Sequence, residues 1–517
     1  MSALESGTVP TALRALYSKH GQNQVFRYVD SGIVTGDAVD ALVAQLSDVD
    51  PERINDLFRS TVGDSGDAKP SSADMTMKPI ESFVSLDSTA ADTKEKWYST
   101  GLKAVAEGKV AVVVLSGGQG TRLGFSGPKG MYNIGLPSQK TLFQLQAERL
   151  RRVCALAEQR FPNGSDGAYG AGDKGRISIP WYIMTSPLND AMTREFFSKN
   201  RYFGVAETDV FFFPQGTLPC MSNPDGKIML ESAGRVAMAP DGNGGIYPAL
   251  QRTGALADMR TRGVEHLHVF SIDNALVKVA DPYFLGYCIQ SGADCGNKSV
   301  WKAEPDEKVG VVVNRGGKPC VVEYSEMDAE ACERRDDSGK LVFGAGNICN
   351  HYFSRAFLED VVLPGMGDMY HVAHKKIPAA EGPSGDTVKP TANNGIKLES
   401  FIFDVFPLSR NMVLFESPRE DEFAPVKNAP GTPTDSPDTA REMISRQARR
   451  WAVAAGAELQ TGSGGAGEAG GAGNCCEISP LVSYGGEGLK DKVGFKKLSV
   501  PFYLKDGGEE VEEEGGR

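Results

Sequence analysis

A basic, glycine-rich segment directly after an apolar run is the first part of this sequence whose residue types could do chemistry. Residues 112–144 read VVVLSGGQGTRLGFSGPKGMYNIGLPSQKTLFQ, and Val112–Leu115 has the character of a buried strand. Glycines after a strand let backbone N–H groups turn toward a bound anion, because no Cβ blocks close approach. Arg122 and Lys129, the latter beside the rigid Pro128, add positive charge. The segment therefore predicts a phosphate site, and a surface turn with a solvated lysine is the alternative.

The glycine spacing excludes two common phosphate-binding motifs. No Gly-Lys-Ser/Thr ends the segment, so it is not a Walker A loop. Between Gly120 and Gly124 the sequence has three residues where the dinucleotide fingerprint has two, which argues against an NAD-dependent dehydrogenase. The backbone of Gly117–Thr121 could still hold a triphosphate, with the planar guanidinium of Arg122 binding two phosphate oxygens.

An aspartate follows a second apolar run, in HLHVFSIDNALVKVADP at 266–282. Asp273 stands at the carboxyl end of this predicted strand, where α/β enzymes hold divalent cations. Mg²⁺ needs only one or two carboxylates in addition to phosphate oxygens. Capping of the next helix is the alternative role for Asp273, and the spacing alone leaves both open.

Further polar residues fit a nucleotide or a sugar. The loop PDGNGG, with Gly242 and Asn243, could present a backbone edge to a flat base or a sugar, although such sequences make turns in any case. Glu323 and Asn347 lie in apolar surroundings and need partners, either sugar hydroxyls or satisfied contacts in the core.

The sequence lacks a nucleophile triad, a paired acidic motif for glycoside chemistry and a zinc cluster. A phosphate site with a divalent cation and no protein nucleophile is typical of direct phosphoryl or nucleotidyl transfer, in which positioning and charge neutralisation do the catalysis.

Composition narrows the class of protein. The 517 residues carry a net charge of −12, which argues against a nucleic-acid partner. Nine cysteines without a C-x-x-C spacing predict reduced thiols. The absence of a signal-like start and of an 18-residue apolar run predicts a cytoplasmic protein without a membrane anchor, and we expect a monomer. Gly-rich segments at 162–175 and 460–474 and the acidic tail predict solvated loops.

The chain divides by pattern into a helical region at 1–107, a catalytic domain at 108–405 and a smaller strand-rich domain with an acidic tail at 406–517. Pro51, after Asp50, predicts the first turn of a helix. Strand-like and helix-like stretches alternate in the second region, which is typical of an α/β fold with a largely parallel sheet. The predicted strands are Val110–Leu115, Pro180–Thr185, Val210–Phe213, His266–Ile272 and Lys308–Val313, and the predicted helices are Thr141–Gln159, Asn189–Lys199 and Tyr247–Arg262.

The glycine-rich segment closely resembles the signature of the eukaryotic UDP-N-acetylglucosamine pyrophosphorylases. Further stretches resemble that family in the same order, from about residue 95 to 490: WYIMTS, FFPQGTLPCM, MAPDGNGGIYPAL, DNALVKVADPYFLGYCIQSGADCG, VVEYSE, AGNICNHYF, NGIKLESFIFD, REDEFAPVKNA and CEISPLVSYGGEGL. The resemblance implies a central Rossmann-like nucleotidyltransferase domain of α/β type between an N-terminal helical region and a small C-terminal β-rich domain. It also implies a role in amino sugar metabolism: UTP and N-acetylglucosamine 1-phosphate give UDP-N-acetylglucosamine and pyrophosphate, with Mg²⁺.

The resemblance also implies roles for individual residues, in four groups. The uridine and triphosphate site is lined by Leu115, Ser116, Gly117 and Gly118, and the uracil is read by Gln215 and Gly242. The sugar is held by Asn243, Gly310, Glu323, Tyr324 and Asn347. The metal is carried by Asp273. The phosphates are bound by Arg122 at the departing pyrophosphate, Lys129 near the α-phosphate, Lys397 and Lys427.

Departures from the family pattern are modest, and other activities stay open. Ser116 stands where the family more usually has alanine, and Ser126-Gly127 stands where relatives often carry bulkier residues. A broad UDP-sugar pyrophosphorylase that makes UDP-N-acetylgalactosamine or UDP-glucose is the nearest alternative. An inactive sensor of uridine nucleotides is another, and the joint presence of Arg122, Lys129 and Asp273 argues against it.

Overall fold

The computed structural model describes residues 6–62, 77–162, 176–223, 225–367, 369–461 and 475–507. The chain forms two compact units, each assembled from three stretches. The smaller unit comprises Met1–Thr76, Gln215–Ala249 and Gly365–Val405, and the larger comprises Met77–Pro214, Leu250–Pro364 and Phe406–Arg517. The three regions expected from sequence stay a prediction. Almost all of the Gly-rich segments and the acidic tail lie outside the described residues.

A mixed sheet forms the centre of the larger unit. Its principal strands are β1 (Val84–Ser85), β2 (Val110–Leu115), β3 (Trp181–Thr185), β4 (Val210–Pro214), β5 (His266–Ser271), β6 (Cys295–Trp301), β7 (Ala345–Ser354) and β8 (Met412–Glu416). They are ordered β1-β8-β6-β7-β5-β2-β3-β4. All neighbours are parallel except for β7, which is antiparallel to both β5 and β6. The α/β class with a parallel-rich sheet is therefore confirmed.

Three short strands extend this sheet beside β7, namely Met77–Pro79, Val311–Arg315 and Lys318–Val322. The second of them begins three residues later than the predicted strand Lys308–Val313. Its pairs are antiparallel, so this part of the molecule is a hairpin and not another parallel repeat.

The larger unit also contains a series of helices. They are Ala91–Ala106, Leu142–Arg160, Asp190–Lys199, Ala255–Thr261, Pro282–Gln290, Ala329–Glu333, Arg355–Phe357, Leu358–Val362 (a π-turn), Leu363–Gly365, Arg419–Glu422, Pro437–Ala454 and Leu489–Val493. Every residue of β2 is buried, as expected for a parallel strand covered on both faces.

A close helix crossing fixes one of these layers. On Gly101, an ideal Cβ would lie 2.1 Å from the carbonyl oxygen of Pro282, and on Gly286 it would lie 1.8 Å from that of Trp97. Because neither glycine tolerates a side chain, the helices Ala91–Ala106 and Pro282–Gln290 approach each other backbone to backbone.

The single helix predicted over Tyr247–Arg262 is wrong. The structure has two helices here, Ile246–Arg252 and Ala255–Thr261. Gly254 lies between them with φ of +79°, a left-handed conformation that ends the first helix. An internal glycine in a helical pattern was the available signal for this break.

The C-terminal part of the larger unit contains the 18-residue helix Pro437–Ala454 in addition to its strands. Two parallel pairs follow, Glu458–Thr461 with Lys497–Val500 and Glu477–Ile478 with Tyr503–Leu504. The helix begins with a capping box, in which Ser436 and Thr439 bond each other's backbone N–H groups.

The smaller unit combines N-terminal helices with short antiparallel strand pairs. Its helices include Thr11–Lys19, Arg27–Asp30, Asp37–Ser47 and Pro51–Val62. Pro51 is the first residue of its helix, as predicted, and Asp50 accepts a hydrogen bond from the N–H of Glu52 at 2.9 Å. The strand groups are Thr217–Pro219 with Met238–Pro240, Leu230–Ser232 with Arg235–Val236, Ala379–Glu381 with Asp386–Val388, and Met221–Ser222 with Gly395–Glu399 and His371–Lys375.

All nine cysteines are free thiols, in line with the prediction from their spacing. None of the helices that the structure describes is long and apolar enough to span a membrane.

Candidate active site

The glycine-rich segment after β2 folds back on itself and returns Lys129 to its beginning. The N–H of Gly120 donates to the carbonyl of Gly127 at 2.9 Å, and the N–H of Lys129 donates to the carbonyl of Gly118 at 3.2 Å. Arg122 lies on an exposed 3₁₀ turn at the far end of the segment. The predicted phosphate loop is therefore a closed turn with Lys129 beside Gly118.

The glycines of this loop serve two different purposes. Phe125 fills the inside of the turn, and a Cβ on either Gly120 or Gly127 would lie 2.8 Å from its ring. Gly118, by contrast, is exposed and a Cβ there would meet nothing within 4 Å. Gly120 and Gly127 are thus explained by packing, whereas the backbone at Gly118 is open to a ligand.

Asn189 anchors the start of the loop, and sequence reasoning missed it. Its side-chain amide donates to the carbonyl of Ser116 at 3.0 Å, and its Oδ1 accepts from the N–H of Ser186 at 2.8 Å. Asn189 is 1% exposed, so the bonds lie away from competing water. An asparagine before a helix reads as a cap, which is why sequence did not reveal the bond across to β2.

Asp273 and Lys129 meet at one edge of the sheet. β5 and β2 are parallel neighbours with Ser271 beside Leu115, so the segments that follow them leave the sheet together. The Nζ of Lys129 lies 4.0 Å from Oδ2 of Asp273, and both side chains are largely buried, at 17% and 16% exposure. The distance does not by itself test phosphate binding by Lys129 or metal binding by Asp273. It does show that the two predicted site residues lie next to each other.

The alternative role of Asp273 as a helix cap is not observed. The next helix in the chain is Pro282–Gln290, and Asp281 caps it by accepting a hydrogen bond from the N–H of Tyr283 at 3.1 Å. The carboxylate of Asp273 is therefore available to a ligand at the strand end.

A second segment, which leads into Lys427, pairs with the backbone of the same aspartate. The N–H of Val426 donates to the backbone carbonyl of Asp273 at 2.9 Å. Asn274 secures the pairing, since its Oδ1 accepts from the N–H of Ala424 at 3.0 Å. Lys427 follows directly, with its Nζ 5.9 Å from the centre of the Phe423 ring.

Asp435 is a further acidic residue of this region that the sequence did not single out. Its backbone carbonyl accepts hydrogen bonds from the N–H groups of Lys427 at 2.7 Å and Asn428 at 2.9 Å, and its φ is +53°. Burial raises the pKa of its carboxyl, and the charge of Lys427 opposes that rise. An aspartate in a proline-rich turn carries no signal for such a position in the sequence.

The donor set fits a hard cation that is completed by a substrate. Among the described residues, no group of three or more His, Cys, Asp and Glu side chains could hold a metal. A single carboxylate such as that of Asp273 is sufficient for Mg²⁺ when phosphate oxygens and water supply the other ligands.

Gly310, Glu323 and Asn347 lie together, as the resemblance implies for the sugar residues. The N–H of Asn347 donates to the carbonyl of Gly310 at 2.8 Å. A Cβ on Gly310 would lie 3.1 Å from Oε1 of Glu323, so a side chain at 310 would crowd this carboxylate. Tyr324 follows Glu323 and is 44% exposed.

The register of β5 and β7 relates this group to Asp273. Phe270 pairs with Asn350 in an antiparallel ladder. Asp273 lies three residues after Phe270 and Asn347 three residues before Asn350, so both lie at the same end of the two strands.

A bulge in β7 separates Asn347 from Asn350. Cys349 has a φ of +53°, which is unusual for a residue other than glycine, and its N–H donates to Oδ1 of Asn347 at 3.2 Å. Burial raises the pKa of the Cys349 thiol to about 12, with the charge of Asp273 adding to the rise and that of Lys427 opposing it. The thiol is therefore protonated at neutral pH and is no nucleophile.

Four candidate residues, Gln215, Gly242, Asn243 and Lys397, belong to the smaller unit. Thr217 pairs with Pro240, so Gln215 and Gly242 flank the same end of that strand pair. Gly242 has a φ of +87°, and a Cβ there would lie 2.2 Å from the carbonyl oxygen of Ser400. Only glycine fits this position.

Asn243 and Lys397 are set into the same unit by local bonds. Oδ1 of Asn243 accepts a hydrogen bond from the N–H of Ile402 at 3.0 Å. Lys397 lies in the strand Gly395–Glu399, opposite Ala373, and is half-buried. Burial raises the pKa of Cys220 to about 11, and the charge of Lys397 opposes that rise.

Comparison with known proteins relates most of the chain to one group of enzymes. A family model described as UTP–glucose-1-phosphate uridylyltransferase matches residues 55–435. The chain is 43% identical over 525 residues to UDP-N-acetylhexosamine pyrophosphorylase-like protein 1 of Xenopus tropicalis, covering 98% of each chain. It is 44% identical over 486 residues to UDP-N-acetylglucosamine diphosphorylase 1 of Arabidopsis thaliana, covering 91% of this chain and 88% of that one.

Solved structures point the same way. The uridine diphosphate N-acetylglucosamine pyrophosphorylase of Trypanosoma brucei, solved with an inhibitor, matches with a TM-score of 0.76 and 32% identity over 94% of this chain and 95% of that one. A UDP-glucose pyrophosphorylase of Leishmania major matches with a TM-score of 0.57 and 18% identity over 85% of this chain and 80% of that one, a likeness of fold alone.

Proposed function

The chain belongs to the UTP–glucose-1-phosphate uridylyltransferase family, and we propose that within it this protein makes UDP-N-acetylglucosamine and pyrophosphate from UTP and N-acetylglucosamine 1-phosphate. The observation that carries the proposal is that Lys129 Nζ lies 4.0 Å from Asp273 Oδ2, after the parallel strands β2 and β5, and that the segment leading into Lys427 pairs with the backbone of Asp273. Relatives named for this activity, at 36–44% identity, support it.

The reaction is a direct transfer in which the protein supplies charge and position. A phosphate oxygen of the sugar phosphate attacks the α-phosphorus of UTP, the bond from that phosphorus to the bridging oxygen breaks, and pyrophosphate leaves with the electron pair. Two polyanions must meet, so their repulsion has to be offset. Lys129 and Lys427 act from positions largely withdrawn from water, where a charge interacts more strongly than in bulk solvent. Arg122 binds the departing pyrophosphate, and Lys397 binds phosphate oxygens.

Mg²⁺ is the divalent cation that we propose for Asp273. When bound, it neutralises charge on the phosphate oxygens of UTP. Asp273 is suited to Mg²⁺ because its carboxylate does not cap a helix. Lys129 Nζ, at 4.0 Å, also lies beyond hydrogen-bonding distance of that carboxylate.

The nucleotide and sugar are recognised largely by backbone and by uncharged groups. Leu115, Ser116, Gly117 and Gly118 line the nucleotide, with Gly118 in the open part of the loop. Gln215 and Gly242 read the uracil. The sugar is held by Asn243, Gly310, Glu323, Tyr324 and Asn347.

Two other sugar 1-phosphates, those of glucose and N-acetylgalactosamine, are alternative substrates. UDP-glucose pyrophosphorylases share the fold at 17–18% identity, which supports no claim about substrate. N-acetylgalactosamine 1-phosphate differs in the orientation of one hydroxyl, so we propose it as a weaker second substrate.

The function is tested with UTP that carries a ³²P label in its α-phosphate, by measuring which product contains the label. The proposal predicts that the label enters a nucleotide sugar in equal amounts to the pyrophosphate released, and that EDTA stops both. Label appearing in free UMP would instead show hydrolysis. UTP binding without turnover for any sugar 1-phosphate would favour the nucleotide sensor.

The expected monomer and its cytoplasmic location stay predictions. Sedimentation velocity at micromolar concentration tests the first, and cell fractionation tests the second.

A further inference from the structure

A fully buried ion triad lies behind the segment that carries Asp273. Lys298, in β6, places its Nζ 2.6 Å from Oδ2 of Asp281 and 3.0 Å from Oε1 of Glu422. The three side chains are 0%, 2% and 1% exposed, in that order. Burial is the largest influence on the pKa of Asp281 and raises it, but the charges of Lys298 and Lys278, together with hydrogen bonds from Lys298 and the Tyr283 N–H, hold that pKa below its usual value.

Stability alone is a weak reason for such a triad. Removing charges from water carries a large penalty, and well-packed apolar residues in place of a buried ion pair are often neutral or stabilising. Lys298 also lies 5.4 Å from the centre of the Phe284 ring, so apolar surroundings that could accept an uncharged side chain are present.

Glu422 connects the triad to both segments that form the phosphate end of the site. Its Oε1 accepts a hydrogen bond from the N–H of Lys278 at 3.2 Å, and its backbone carbonyl accepts from the side-chain amide of Asn274 at 2.7 Å. Asn274 directly follows Asp273, and Glu422 lies five residues before Lys427. The position of Glu422 therefore bears on both candidate residues.

A directional chain of hydrogen bonds reaches the same carboxylate from β5 and β7. The N–H of Ala280 donates to Nδ1 of His268 at 2.9 Å, which leaves the proton on Nε2. Nε2 then donates to Oδ1 of Asn350 at 2.6 Å, and the amide of Asn350 donates to Oε1 of Glu422 at 3.1 Å. Every link is buried, so Glu422 is restrained from three directions.

We propose that Lys298 is a positioning residue for this reaction. Through Glu422 it sets the separation of Asp273 and Lys427, and hence the geometry in which UTP phosphates and a divalent cation are held. Through Asp281 it fixes the other end of the segment 273–281 at the helix that Asp281 caps. The inference rests on the proposed function of Asp273 and Lys427.

The chain offers a matched control in a second buried ion pair. Lys140 Nζ lies 2.6 Å from Oε2 of Glu148 and 3.2 Å from the hydroxyl of Ser479, with the Lys140 and Glu148 side chains 10% and 6% exposed. Its partners lie on the helix Leu142–Arg160 and in the C-terminal part, not on the segments around Asp273 or Lys427. Loss of either lysine removes a buried charge, but only one of them adjoins the site.

The experiment compares Lys298→Met with Lys140→Met in the full chain. Calorimetry measures UTP binding at a series of Mg²⁺ concentrations without sugar phosphate, and steady-state kinetics measures kcat and KM. For Lys298→Met we expect the Mg²⁺ concentration for half-maximal UTP binding to rise, and kcat to fall, by roughly 10–100-fold, as for residues that orient metal ligands. We expect KM for the sugar phosphate to change little. Lys140→Met should lower only the melting temperature.

A second variant covers the case in which Lys298→Met does not fold. Glu422→Gln keeps the side-chain volume and the backbone carbonyl that holds Asn274, and removes only the charge. The same shift in Mg²⁺ dependence is expected, with a smaller amplitude. Unchanged Mg²⁺ dependence and kcat in a folded Lys298→Met or Glu422→Gln protein would reduce the triad to a structural role and overturn the proposal. Failure of the unmodified chain to bind UTP or release pyrophosphate would instead overturn the proposed function.

Discussion

Lys129 and Asp273 face each other across two neighbouring parallel strands, with Nζ and Oδ2 separated by 4.0 Å. The two charges are close enough to interact electrostatically, but the atoms are too far apart for a direct hydrogen bond. Each residue is held from its own side, Lys129 by the return of the glycine-rich loop to Gly118 and Asp273 by the pairing with Val426. A polyphosphate that meets a lysine held in advance in this way needs little rearrangement of the protein, which is the condition for electrostatic catalysis.

Replacing Lys129 by alanine tests the cationic half of this arrangement. We expect kcat to fall by about 10²–10³, because a preorganised charge aimed at the transferring phosphoryl group is lost. Lys199→Ala is the control, since Lys199 is 71% exposed and pairs with Glu195 on its own helix. A loss below tenfold for Lys129→Ala would contradict its assigned role.

Replacing Asp273 by asparagine tests the anionic half. We expect the Mg²⁺ concentration needed for half-maximal rate to rise at least tenfold, since the amide oxygen carries no charge to hold the cation. Titration of Mg²⁺ at fixed UTP measures this. Asp337→Asn, at an exposed position, is the control. An unchanged Mg²⁺ dependence would place the cation elsewhere.

A variant at Ser116 tests whether its hydroxyl contacts the nucleotide or is only packed inside the protein. Its hydroxyl is buried and has no hydrogen-bond partner among the described residues. A buried unsatisfied hydroxyl costs about 1–3 kcal/mol, so Ser116→Ala should leave the free energy of unfolding unchanged or raise it by about 1 kcal/mol. Urea unfolding measures the change. If KM for UTP rose severalfold in this variant, the hydroxyl would instead contact the nucleotide.

Two buried histidines and a largely buried third predict a loss of stability in mild acid. Burial lowers the pKa of His266 to about 4 and those of His268 and His351 to about 3. Between about pH 6.5 and these values the unfolded chain binds protons that the folded chain does not, so the free energy of unfolding falls as the pH falls. Each histidine contributes up to about 1.4 kcal/mol per pH unit.

Urea unfolding at pH 7.5, 6.5, 5.5 and 5.0 measures this slope. His351→Phe should flatten it, because both ring nitrogens of His351 are buried without a hydrogen-bond partner among the described residues. Equal stability of the unmodified chain at pH 7.5 and 5.0 would show that these rings are accessible to protons when folded.

The two strands that lead to the candidate site could be predicted from short local patterns in the sequence. The apolar run of β2 and the glycines after it, and the run of β5 ending before Asp273, are signals contained in a few adjacent residues. Parallel pairing then places the ends of such strands at one edge, which is why Lys129 and Asp273 could be expected in one place.

Features that depend on distant pairing were not predictable. The antiparallel direction of β7 is set by its hydrogen bonds with β5 and β6. The sequence of β7 alone does not indicate whether the strand is parallel or antiparallel to its neighbours. Asn189 and Lys298 act through partners far along the chain, and Asp435 acts through a loop that returns to Lys427. Their residue types suggest a cap, a surface charge and a turn, because burial is decided by the assembled core and not by neighbours in sequence.

The sugar that is accepted tests the central claim most directly. Pyrophosphate release from UTP and Mg²⁺ should be measured with N-acetylglucosamine 1-phosphate, N-acetylgalactosamine 1-phosphate and glucose 1-phosphate under identical conditions. We predict the highest kcat/KM for N-acetylglucosamine 1-phosphate, a lower value for the galactose epimer, and a value at least 100-fold lower for glucose 1-phosphate, as expected when polar groups built for an acetamide are left unpaired. An equal or higher kcat/KM for glucose 1-phosphate would contradict the proposed function while leaving the fold and the charge arrangement intact.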